Sequence, residues 1–104
     1  MPETWAGKSY FEYEGSVEKG TRIFYGHDNS PIFVSALQYN NLRRQFLNRI
    51  VPIGTSRTNP PPHSIGAWLM EYVSRTAIAS YVGPILILEG YARREGAHDI
   101  CIIR

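Results

Sequence analysis

Two rhythms of apolar residues run along the chain. From Tyr10 to Glu14 aromatic and acidic residues alternate, Phe11 and Tyr13 against Glu12 and Glu14, which predicts a half-buried strand. Thr21 to Tyr25 predicts a second strand, and Gly15 and Gly20 bracket a turn, so residues 9–26 read as a hairpin. GHDNSP at 26–31 is dense turn chemistry, followed by a brief extended piece from Ile32 to Val34. The rhythm then changes. Ser35 and Gln38 have the spacing of a capping box, and Val34 and Tyr39 that of a hydrophobic staple. Tyr39, Leu42, Phe46 and Ile50 recur at helical steps, which predicts a helix from 36 to about 48.

Val51 to Ile53 fits a short strand. TSRTNPPPH at 55–63 is a loop stiffened by three consecutive prolines. Ser64 is placed to cap a helix whose stripe is Ile65, Trp68, Leu69, Tyr72 and Val73. The next segment has two readings. Thr76 can cap a helix beginning at Ala77, but Gly83-Pro84 interrupts it, because proline removes a backbone donor and clashes one turn back. The helix either kinks there or stops, and Ile85 to Leu88 alone suits a buried strand as well as a helix. Tyr91–Arg94 and Asp99–Ile103 form a hairpin closed over EGAH. The sum is an α+β fold in one small domain, residues 1–104. It has N-terminal antiparallel strands, two to three helices and a C-terminal β-hairpin.

With 104 residues, 43% hydrophobic and 19% charged, the composition is that of a globular domain. The longest aliphatic run, Ile85 to Leu88, is far below the roughly 20 apolar residues that span a bilayer. The first residues lack a basic start followed by an apolar stretch, so no secretory signal is expected. A single cysteine, Cys101, allows no internal disulfide. The expected location is cytoplasmic, without membrane contact. Net charge is only +2, but it is uneven. Residues 1–30 carry five acids and three bases, whereas residues 31–104 carry eight arginines and four acids. An arginine-only excess suits an anionic partner, since guanidinium forks match phosphate and carboxylate.

From Ser74 onward, SRTAIASYVGPILILEGYARREGAHDICI resembles the second half of a winged helix-turn-helix domain. Glu89-Gly90 stands where the recognition helix of that family ends. Tyr91-Ala92-Arg93-Arg94 stands at its basic strand, Glu95 to His98 at the wing turn, and Asp99 to Ile103 at the return strand. The resemblance implies that the helix at 65–73 is the positioning helix. Arg75, Thr76, Ala79 and Ser80 would then lie near bases or phosphates, and Arg93, Arg94 and His98 on the wing. The runs VPIGTSRTNPPPHSIGAWL and TAIASYVGPILILEGYA also resemble small proteins carried on mobile integron gene cassettes. That resemblance implies a short, single-domain and often dimeric protein with no assigned role.

Other clusters carry candidate chemistry. Thr55, Ser56 and Arg57 offer hydroxyls, backbone donors and a guanidinium for an anion, or hydroxyls that bond their own loop. His27, His63 and His98 lack metal-ligand spacing, and no metal or cofactor is expected. Cys101, between Ile100 and Ile102, suits packing better than catalysis. Tyr10, Phe11 and Tyr13 near Trp5 could stack single-stranded bases, although Glu12 and Glu14 would repel phosphates. Tyr81, Val82, Ile85 and Ile87 give an apolar surface for a homodimer contact. The leading expectation is a non-enzymatic binding protein, winged-helix-like, taking DNA as a homodimer. Arg75, Thr76 and Ser80 would then face the groove, and Arg93 and Arg94 the phosphates. The alternative is a protein–protein interaction module. An enzyme would be signalled by a concave site joining His27 or His63 to Arg57.

Overall fold

The computed structural model describes residues 1–26 and 31–104, so the turn expected at 26–31 and His27 lie largely outside the described residues. In chain order the elements are β1 (Glu12–Ser16), β2 (Gly20–Phe24), β3 (Ile32–Ser35), α1 (Ala36–Phe46) and β4 (Ile50–Pro52). There follow α2 (Ile65–Tyr72), α3 (Ala79–Leu88), β5 (Ala92–Glu95) and β6 (Asp99–Ile102). The α+β class and the C-terminal hairpin are as the patterning predicts. The strands form two antiparallel sheets, ordered β1-β2-β3 and β4-β6-β5. No helix of the described residues is long and apolar enough to cross a membrane.

The first hairpin closes later than expected. Pairing runs from Glu12↔Phe24 to Ser16↔Gly20, so Gly15 lies in the strand and buried Val17 starts the turn. β3 feeds directly into α1 through the predicted capping box. The Ser35 hydroxyl accepts from the Gln38 N–H at 3.0 Å, and the Gln38 side chain accepts from the Ser35 N–H at 2.9 Å. Tyr39, Leu42 and Phe46 form the buried stripe of α1. Ile50 does not extend that stripe, because the helix ends at Phe46 and Ile50 begins β4, well exposed.

The second half stacks helices against the second sheet. Its central strand β6 is buried on both faces, with Ile100, Cys101 and Ile102 all in the interior, so Cys101 is a packing residue. Ser64 caps α2 as expected, its hydroxyl accepting from the Ala67 N–H at 3.0 Å. α3 begins two residues later than the predicted Ala77, behind Ile78, and no side chain caps it. Thr76 does not cap because it stands two residues before the N-cap position, in the α2–α3 turn, where its N–H donates to the Ser74 hydroxyl.

α3 runs through Gly83-Pro84 without a break. Proline deprives the carbonyl four residues earlier, that of Ser80, of its helical donor. The N–H of Trp5 occupies that place, donating to the Ser80 carbonyl at 2.9 Å. Gly83 clears room for the indole, since a Cβ there would lie 3.0 Å from the Trp5 ring. The other edge of Trp5 donates through Nε1 to the Ala97 carbonyl at 2.7 Å in the β5–β6 turn. The interruption is thus the seat of the N-terminal segment, and Trp5 joins that segment to α3 and to the hairpin.

A second long-range tie crosses the other end of α3. The Glu89 carboxylate accepts from the Tyr13 hydroxyl at 2.7 Å and from the Val17 N–H at 2.9 Å. Burial and this carboxylate push the Tyr13 phenol up to about 12. Burial also raises Tyr39, which shares a 2.7 Å hydrogen bond with Thr21, and Tyr81. A phenol with a raised pKa holds its proton more tightly in the folded state. Its contribution is complete below pH ~10, the unfolded value, and is lost as pH climbs through the folded value. Urea midpoints should therefore hold up to about pH 10 and fall steeply towards pH 12. Tyr13→Phe should remove part of that slope, and an unchanged slope would show that the Glu89 tie does not govern it.

Candidate functional site

The α2–α3 turn and the proline-rich loop meet in one cleft. Arg57 comes from the loop after β4, and Arg75 and Thr76 come from the turn before α3. Tyr10, Tyr25 and Tyr81 complete its walls, and this open cleft has a volume of about 680 Å³. That is within the ~300–1,000 Å³ typical of ligand sites. Two regions singled out separately in the sequence, the anion loop and the start of the expected recognition helix, are thereby brought together.

Both guanidiniums are exposed, and neither is in an ion pair with a described residue. The ion pairs among the described residues are Arg22 with Glu14 and Arg93 with Glu95, and no described carboxylate lines the cleft. Arg57 lies close enough to Tyr81 for its charge to oppose the upward push of burial on that phenol. The aromatic wall is ordered by ring packing. Tyr25 and Tyr81 stack at 4.8 Å with 25° between planes, and Phe11 meets Tyr81 edge-on at 5.2 Å. Tyr10 remains free, 61% exposed.

The remaining sequence candidates fall elsewhere. Ser56 turns its hydroxyl to its own loop, accepting from the Asn59 N–H at 3.0 Å, so of the Thr55, Ser56 and Arg57 group only Arg57 lines the cleft. Ser80 sits in the first turn of α3 with its carbonyl bound by Trp5. Arg93 and Arg94 lie exposed on β5, but both are engaged. Arg93 pairs with Glu95. Arg94 lies over the Trp5 ring at 4.0 Å and donates to the Trp5 carbonyl at 3.0 Å. Val82 and Ile85 are fully buried in the chain's own core, which corrects their place on a dimer surface. The inward stripe of α3 takes them, leaving Tyr81 and Ile87 partly covered and Leu88 65% exposed. Of the three N-terminal aromatics, Phe11 is core and Tyr13 is bound to Glu89.

His63 lines a different cleft, between α1 and α2, with Arg49, Glu71 and Trp68. It is therefore not joined to Arg57. Among the described residues no three His, Cys, Asp or Glu side chains gather as metal ligands would. The role of the cleft could not be read from one segment, because its two arginines belong to loops that the fold alone brings together.

No family model matches the chain, nor does any curated protein or any solved structure.

Proposed function

We infer that the protein is a non-catalytic nucleic-acid-binding module whose contact surface is the Arg57–Arg75 cleft. The observation that carries this reading is the convergence of two guanidiniums without a described carboxylate partner, beside aromatic rings. Phosphates neutralised by such groups release counterions, which gives affinity without a large net charge. The order of parts matches the winged-helix-like expectation in topology alone. Two helices joined by a short turn precede a β-hairpin, and Arg75 and Thr76 occupy the turn that leads into the second helix. Arg93 adds charge on the hairpin, while Arg94 holds the hairpin to Trp5.

Fluorescence anisotropy at low salt tests this with labelled duplex and single-stranded oligonucleotides. The wild type should bind in the micromolar range, with a log–log salt slope near −0.7 to −0.9 per phosphate contacted. Arg57→Glu with Arg75→Glu should weaken binding by about 100-fold and flatten the slope by about two contacts. Arg93→Glu should cost less than the cleft double variant. A flat titration to about 50 µM with both nucleic acids would end the reading.

The homodimer enters this reading only through Ile87 and exposed Leu88, the part of the α3 apolar run left outside the core. Light scattering on the same samples counts the copies.

A further inference from the structure

We propose that the cleft takes unpaired nucleotides of a single strand, a base stacking on Tyr10 while Arg57 and Arg75 hold the neighbouring phosphates; this rests on the nucleic-acid reading above. Two independent features point away from a duplex groove and towards an open strand. The first is the outward side of α3. A helix reads base edges in a major groove through long polar side chains such as Arg, Asn and Gln. Outside the core α3 leaves Ser80, Pro84 and Ile87 partly covered and Leu88 exposed, and none of these is a bidentate reader. That side is also occupied. The segment carrying Trp5 lies across it, bound to the Ser80 carbonyl and packed at Gly83. A groove cannot close around a helix whose Ser80–Gly83 half is already covered.

The second feature is the composition of the cleft itself. Single strands are held by a positive surface along the backbone and aromatic rings under the bases. Arg57 and Arg75 supply the charge. Tyr10 presents an exposed ring, with the Tyr25–Tyr81 stack behind it as a rigid wall. The acids that argue against an N-terminal stacking platform sit mainly elsewhere. Glu12 and Glu14 line a separate depression beside Phe24, Glu14 is paired with Arg22, and Glu12 borders Tyr10 outside the cleft.

The test compares an oligothymidylate of about 15 nucleotides with a duplex of the same length, by anisotropy on the intact chain. The single strand should bind roughly tenfold tighter or more than the duplex. Tyr10→Ala, at a position too exposed to affect folding, should reduce single-strand affinity about tenfold and leave duplex affinity unchanged. Tyr10→Phe should keep the wild-type value, because stacking needs the ring and not the hydroxyl. An abasic strand of equal length should bind wild type and Tyr10→Ala alike. Equal or tighter duplex binding that still depends on Arg57 and Arg75 would overturn this inference and leave the nucleic-acid reading standing. So would a Tyr10→Ala variant with wild-type single-strand affinity. Absence of binding to either nucleic acid would overturn both.

Discussion

Replacing Trp5 by alanine should cost this fold about 3–5 kcal/mol, the range for emptying a buried aromatic site. For a domain of this size that is a fall of roughly 15–25 °C in Tm. Trp5 is 4% exposed and touches both α3 and the β5–β6 hairpin. It packs against Gly83, donates from Nε1 to Ala97, and carries the Arg94 guanidinium on its face. Alanine keeps the backbone bond to Ser80 but removes the indole's contacts with Gly83, Ala97 and Arg94. The Ser80 carbonyl, without a helical donor because of Pro84, then depends on that one backbone bond. Arg94 loses its ring and keeps only its bonds to backbone carbonyls. Trp5→Phe separates these effects. It keeps most of the packing and the cation–π contact and removes only the bond to Ala97, so it should cost about 1 kcal/mol beyond the lost ring volume. Thermal melts of the two variants check the order. Equal Tm values for Trp5→Ala and wild type would show that the N-terminal segment is not part of the cooperative core.

Much of the architecture is legible in the sequence because it is local. The Ser35–Gln38 capping box, the Ser64 cap and the stripes Tyr39-Leu42-Phe46 and Ile65-Leu69 depend on neighbours within one or two turns, and they fold as written. The hairpin 92–102 is legible for the same reason. What a local pattern cannot show is where a broken rule finds its compensation. Gly83-Pro84 breaks the helical pattern, and the donor that restores it comes from Trp5, at the far end of the sequence. The candidate site fails to show locally for the same reason. Arg57 sits in a loop whose hydroxyls suggest an anion site, and Arg75 in a turn suggesting a groove contact. Only the packing of the loop over α2 reveals one cleft. Apolar residues mislead in the opposite sense. Ile85 to Leu88 looks like surplus hydrophobic surface because the sequence does not show how much of it two sheets can cover. In the fold Ile85 and Leu86 are fully buried, and only Leu88 is well exposed.

That packing makes Gly66→Ala the second severe substitution, with a sign opposite to the one helix propensity gives. Alanine in a helix interior is worth about 1 kcal/mol over glycine, so from α2 alone the change should stabilise. The structure places the backbone of Gly54 directly on the first turn of α2. A Cβ at Gly66 would lie 1.7 Å from the Gly54 carbonyl oxygen and 2.8 Å from its carbon. The Gly66 N–H donates to the Ile53 carbonyl at 2.8 Å, so the two backbones cannot separate without breaking this bond. Nor can Gly54 swing aside easily. Its φ is +69°, and its Cα faces the Ser64 cap, with a Cβ there only 2.3 Å from the Ser64 hydroxyl. The obstacle is main chain on both sides, which has no alternative rotamer. The expected cost is about 3 kcal/mol or more, at the upper end for overpacking. Gly83→Ala is the internal comparison. Its closest obstacles are the Ile53 Cδ1 at 2.8 Å and the edge of the Trp5 ring at 3.0 Å, side-chain atoms that can yield. It should cost visibly less than Gly66→Ala in the same urea titration. The loop that begins at Gly54 also carries Arg57. Gly66→Ala should therefore weaken nucleic-acid binding even under conditions where the variant remains folded, whereas Gly83→Ala should leave it intact. A Gly66→Ala protein as stable as wild type would mean that the loop does not cross α2 at this point, and the cleft it positions would go with it.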